Sequence, residues 1–203
     1  MKNVSWGVVL AMGLATGAGA QECGPKGGPL VLVYLEDATN VPVVAMARAK
    51  GITAGMFAGI GVRVEWKEGE PPRRPQKPTG CAAQADEVLE VQFEETAATR
   101  FPRDAMAYAA LGRVGICIHI FYNRVAAQPR DLAPVLLGHV LAHEITHVLE
   151  GVPRHSEDGV MKAHWTSADY RQMSGHPLPF AEEDIRLIRA HFSGHATVAA
   201  AGR

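Results

Sequence analysis

The sequence predicts an α+β domain, built on a mixed, twisted sheet of about four strands with two main helices and a further C-terminal helix. Three observations point to it. Four short stretches between Leu30 and Tyr122 are either continuously apolar or alternate apolar with polar residues, as strands do. The first two are separated by small and apolar residues at helical spacing, the arrangement of a parallel crossover. Beyond Tyr122, two longer stretches repeat their apolar residues with the period of a helix.

Leu30–Leu35 (LVLVYL) is apolar throughout and reads as a strand buried on both faces. Asn40 to about Ala58 places Val44, Ala47, Ala54, Phe57 and Ala58 at helical spacing and predicts a helix packed on the sheet, against the weakening effect of Gly51 and Gly55. Gly61–Trp66 (GVRVEW) alternates, the period of a half-buried strand. Lys67–Gly80 contains Pro71, Pro72, Pro75 and Pro78 and predicts a surface loop, because proline has no amide hydrogen to give a ladder or helix. Val88–Glu94 (VLEVQFE) is a third strand and Thr96–Leu111 a connection anchored by Phe101, Pro102 and Tyr108. Ile116–Tyr122 (ICIHIFY) is a fourth strand, with Cys117, His119 and Phe121 on one face.

The next helix opens on Asp131 and Pro134, a capping residue and an early proline. Leu136, Leu137, Val140, Leu141, Ile145, Val148 and Leu149 supply its apolar positions, and Gly151 and Pro153 end it. Phe180–Phe192 predicts the C-terminal helix, with Glu182, Glu183 and Asp184 in a first turn where the helix dipole favours acids.

Met1–Ala20 has the layout of a secretory signal peptide: Lys2, an apolar stretch around Val8–Leu14, and a small-residue cleavage site ending at Ala20. A secreted or periplasmic protein is expected, with one domain over 21–195 and a disordered tail over 196–203. The 203 residues less the leader's 20 leave 183, in which 19 basic residues face 21 acidic ones, a net charge of −2. No polybasic run and no second hydrophobic span occur, so neither nucleic acid nor, after cleavage, a membrane is expected as partner. Cys23, Cys81 and Cys117 form no C-x-x-C pair, and in an oxidising compartment one disulfide among them is expected.

The chemistry is concentrated in Val140–Met161, VLAHEITHVLEGVPRHSEDGVM. On a helix, His143 and His147 lie about 6 Å apart on one face, so both imidazoles can converge on one cation. Glu144 between them is placed to take a proton from a zinc-bound water. Gly151 can adopt a positive φ and swing His155 back as third ligand, which with water completes the usual catalytic set around one zinc per chain. His139 lies about 12 Å along the helix from His147, too far to share the ion, and is assigned to packing.

This stretch resembles the metzincin zinc peptidases, whose pattern is H-E-x-x-H, a glycine turn, a third histidine and a later methionine turn. The resemblance implies that His143, His147 and His155 bind zinc, that Glu144 is the general base and that Met161 is the Met-turn residue. The family places glycine three and the third histidine six residues after the second. Here Gly151 follows His147 by four and His155 follows it by eight. The order of elements also matches, which implies a metzincin-like fold and an exported zinc metallopeptidase acting on a peptide or protein substrate. The chain is similar, too, to uncharacterised bacterial secreted proteins of this general type, a likeness that implies no substrate.

Alternatives stand beside that reading. Glu182 or Glu183 can serve as third ligand, as in thermolysin-like enzymes, and a zinc-stabilised binding or structural module without turnover is the reading from another class. Met161 can be simple core. Tyr170 and His164 are candidate substrate contacts, with the Tyr170 phenol suited to an oxyanion; a packed aromatic is the other reading of Tyr170.

Overall fold

The computed structural model describes residues 27–36, 41–71, 85–94, 101–102, 105–111 and 115–201, with Leu111 and the last seven of these as backbone only. The leader, Cys23, Cys81 and most of the proline-rich loop lie outside them, and with them the expected disulfide. The elements in chain order are β1 (Leu30–Glu36), α1 (Val43–Ala58), β2 (Arg63–Glu68), β3 (Glu87–Glu94), β4 (Ala107–Leu111), β5 (Ile116–Phe121), α2 (Tyr122–Ala126), α3 (Ala133–Glu150), α4 (Ser167–Gly175) and α5 (Glu182–Ala201).

The strands form one mixed sheet in the order β2-β1-β3-β5-β4. Its parallel part is held by registers such as Val33 with Trp66, Val33 with Leu89 and Val91 with Ile118. Five strands replace the expected four or so. The addition, β4, lies inside the stretch expected to be a connection and runs antiparallel to β5 at the sheet edge, Ala107 opposite Ile120. Its sequence, AYAAL, has no β-branched residue and no clear alternation. It is a strand because β5 offers it a ladder, not because of its own propensity.

The sheet face bearing Val31, Val33, Leu35, Leu89, Val91, Ile118 and Ile120 is closed off from water and belongs to the same core as α1 and α3. β1 is thus fully buried at alternate residues, with Leu32 and Tyr34 only half-buried, although its sequence is apolar throughout. On α1 the buried face is Met46, Ala49, Thr53, Met56 and Phe57, whereas Val44, Ala47 and Ala58 of the expected face are exposed. The helix is apolar on more than one side, so its pattern did not specify which side meets the core. Gly138 lets α3 approach α1 closely: a Cβ there would lie 2.9 Å from Ile52 Cβ and 3.0 Å from the Ala49 carbonyl oxygen. Thr53 Oγ1 donates across that crossing to the Gly138 carbonyl at 2.9 Å.

α3 begins as expected near Pro134, but Asp131 does not cap it. The amides of Leu132 and Ala133 instead donate to the Pro129 carbonyl, so a preceding turn supplies the partners a capping side chain would. At the other end Gly151 takes φ 67° and donates to the His147 carbonyl, the left-handed stop predicted for it. α4 was not expected, although Thr166 and Asp169 carry its signal: they form a capping box, each side chain bonded to the other's backbone amide. α5 continues past the Phe180–Phe192 periodicity to Ala201, into the stretch expected as a tail, where alanine has the highest helix propensity. No helix among the described residues is long and apolar enough to cross a membrane.

Candidate metal centre

α3 carries His143, Glu144 and His147 half-buried on one side, and the turn after Gly151 returns the exposed His155 to them. One nitrogen from each of the three histidines lies within 4.8 Å of the others, a group that can hold a metal ion. The Nε2 atoms of His143 and His147 are 3.0 Å apart. Tetrahedral zinc with Zn–N bonds near 2.0–2.1 Å sets its nitrogens about 3.3 Å apart, so the pair needs only a small spread to take the ion. The His147 ring stands nearly perpendicular to both others, at 83° and 88°, so the three rings approach from different directions.

The donor atoms are prepared by their surroundings. His143 Nδ1 lies 2.8 Å from the Val160 carbonyl, which can only accept; the proton therefore sits on Nδ1 and the Nε2 lone pair faces the group. That carbonyl is aimed by a tight turn. Gly159 has φ 80°, and a Cβ there would come within 2.3 Å of the Pro179 carbonyl oxygen, to which the Val160 amide donates. Met161 follows, fully buried, its carbonyl accepting from the Ser156 amide at 2.8 Å. The turn thus braces His143 on one side and the residue after His155 on the other.

Burial pushes His143 and His147 down to about 4, outweighing the backbone hydrogen bonds that act the other way. His155 is lowered as well, first by burial and then by the charges of His164 and Arg154. All three are neutral near pH 7, the state metal ligation needs. Glu144 moves in the opposite sense, pushed up to about 7 by burial.

These shifts predict an acid response of the metal-free protein. Rings that ionise near 4 when folded and near 6.5 when unfolded contribute stability above pH 6.5 that is lost as pH falls toward 4, at most about 1.4 kcal/mol per pH unit for each ring. Glu144, whose folded value lies above its unfolded one, offsets part of that loss by taking up a proton first in the folded state. Glu144→Gln removes the offset. Urea midpoints of the metal-free proteins at pH 7 and pH 4.5 should therefore fall further for the variant than for the wild type; equal falls would contradict these assignments.

The group opens onto a cleft of about 860 Å³. Glu144, the three histidines, His164, Trp165 and Tyr170 line it, together with Met106, Ala107 and Arg124. Arg124 Nη1 donates to the Pro102 carbonyl at 2.6 Å and to that of Ala105, holding the lead into β4. Glu182 and Glu183 are exposed and outside the group, Glu183 being paired with Arg186 at 2.8 Å. His139 is fully buried away from the group, with Nδ1 2.8 Å from the Val135 carbonyl and Nε2 accepting from the Leu178 amide at 3.0 Å. His119 pairs with Glu94 at 2.9 Å and stacks on Tyr108.

Sequence reasoning missed Glu150, Arg154 and Asp184. Arg154 Nη1 reaches Glu150 at 2.9 Å and Asp184 at 2.8 Å, and both carboxylate side chains have no exposure. Glu150 and Arg154 stand in i,i+4 spacing, the one local hint of this network. The helix dipole explains an acid at Asp184, but its buried side chain also accepts from the Ala181 amide at 2.8 Å.

No family model and no curated protein matches the chain by sequence. Among solved structures, the crystal structure of archaemetzincin from Methanopyrus kandleri matches with a TM-score of 0.54 at 15% identity, over 84% of this chain and 98% of that one. The chain is therefore an α+β domain close in fold to archaemetzincin, and it brings together three histidines able to hold a metal ion.

Proposed function

We propose that the chain is an exported zinc-dependent peptidase that hydrolyses peptide bonds. The observation that carries this reading is Glu144 set beside a three-histidine group in an open cleft. His143, His147 and His155 would hold one zinc ion, with Nδ1 of His143 already committed to Val160. When bound, zinc supplies Lewis acidity, lowering the pKa of water and polarising a carbonyl. Glu144 accepts at its carboxylate the proton of the attacking water and returns it to the leaving amine, a task suited to a group poised near neutrality. Tyr170 lines the same cleft with its phenol kept protonated by burial, and can donate to the oxyanion; His164 contacts substrate there.

A peptide is favoured over a small amide by β4. In an antiparallel edge strand every second residue turns its peptide groups away from the neighbour; Met106 bonds toward β5, so Ala107 and Ala109 face outward. An extended chain can add to such an edge beside the histidines. A zinc-stabilised module without turnover is the rival, but closed structural sites use four protein ligands and this group has three among the described residues.

Metal analysis and cleavage of a mixed peptide library separate the two. Wild type and Glu144→Ala should both hold zinc and only the wild type should cleave; zinc without cleavage in the wild type would favour the structural module. Export adds a further expectation. The mature chain should begin at Gln21, and mass mapping should find one disulfide among Cys23, Cys81 and Cys117. Three reduced thiols would count against an oxidising compartment.

A further inference from the structure

The return of His155 poses a mechanical problem. Its separation from His147 is eight residues. After the left-handed Gly151 the loop runs through the exposed Val152 and Pro153. The ring is itself exposed, and among the described residues no hydrogen bond fixes it, whereas His143 is braced by Val160. A long, solvent-facing turn leaves a ligand free to wander unless something holds the backbone on either side of it.

Both neighbours of His155 are held. Arg154 Nη1 spans Glu150 Oε1 at the end of α3 and Asp184 Oδ1 in the first turn of α5, and its Nη2 donates to Ser156 Oγ at 2.8 Å. Ser156 Oγ in turn donates to Asp184 Oδ1, while the Ser156 amide is tied to the Met161 carbonyl. Resting on the reading of His155 as third ligand, we propose that Arg154, with Glu150, Asp184 and Ser156, is a positioning device for His155, closing the long turn onto the metal centre. An ion network that served only to join α3 to α5 would have no need to run through the residues immediately before and after a ligand. Two carboxylates without solvent exposure also make the arginine indispensable, since a buried charge without its partner is strongly unfavourable.

The test measures the zinc dissociation constant by competition with a chromophoric chelator, the visible spectrum of the cobalt-substituted protein, and the melting temperature. Arg154→Met should weaken zinc about 10–100-fold, the usual effect of removing a group that orients a ligand. Its cobalt spectrum should move toward that of His155→Ala. Arg154→Lys restores the charge without the fork and should recover part of the affinity. Val33→Ala, in the sheet core, lowers stability far from the turn and should leave affinity and spectrum at wild type. Ser156→Ala keeps the ion pairs and should weaken zinc by several-fold; it decides the matter if Arg154→Met does not fold. Wild-type affinity and spectrum in Arg154→Met, or in Ser156→Ala where it stands alone, would overturn the proposal. Should His155→Ala bind zinc as tightly as wild type, the reading of His155 as third ligand fails and takes this proposal with it.

Discussion

Glu144→Gln should keep close to one equivalent of zinc per chain while peptide hydrolysis falls by at least about 10²-fold, the lower end of what a positioned general base contributes. The substitution is nearly isosteric and leaves α3, its glycine stop and the three imidazoles in place. Only the ability to take a proton is lost. Glu144 belongs to the cleft wall and is not one of the three histidines able to hold a metal ion, so metal content should not move. The measurement is paired: zinc by metal analysis, and turnover of a peptide that the wild type cleaves. Loss of zinc with the activity would make Glu144 a ligand and sink its assignment as base. Retained activity would remove Glu144 as the base, the one acidic residue lining the cleft among the described residues.

What could be read from the sequence follows from how local each feature is. β2 and β3 were legible because half-burial imprints a two-residue period on a strand, as in Val62 and Val64 against Arg63 and Glu65; β5, buried on both faces, was legible from its isoleucines and aromatics. α3 was legible because its stop depends on one glycine and its apolar residues all serve one core. β4 was not, since Ala107–Leu111 becomes a strand only through β5. The buried side of α1 depended on where Gly138 allows α3 to cross, a contact between positions far apart in the chain. The pair of histidines and Glu144 could be placed from helix geometry alone. The brace on His143 could not, because the Val160 carbonyl is backbone and leaves no mark on residue identity. Nor could the hold on His155, which joins Glu150, Arg154 and Asp184 from three separate segments.

His155→Ala should weaken zinc by more than about 10²-fold, beyond what removal of a merely orienting group costs, whereas Glu182→Ala and Glu183→Ala should bind as the wild type does. The contrast decides between two architectures for the third ligand. His155 supplies a nitrogen within 4.8 Å of those of His143 and His147, and its lowered pKa keeps that nitrogen unprotonated at neutral pH. Glu182 and Glu183 point a different chemistry elsewhere: both are exposed at the start of α5, and Glu183 is engaged by Arg186 three residues on. Their place in the first turn is explained by the helix dipole, an interaction of a few tenths of a kcal/mol to about 1 kcal/mol that has no bearing on metal affinity. Zinc competition titrations on the three variants, with melting temperatures to confirm folding, give the answer. A Glu182 or Glu183 variant that loses zinc while His155→Ala retains it would move the third ligand to α5 and require the C-terminal helix to turn toward the cleft.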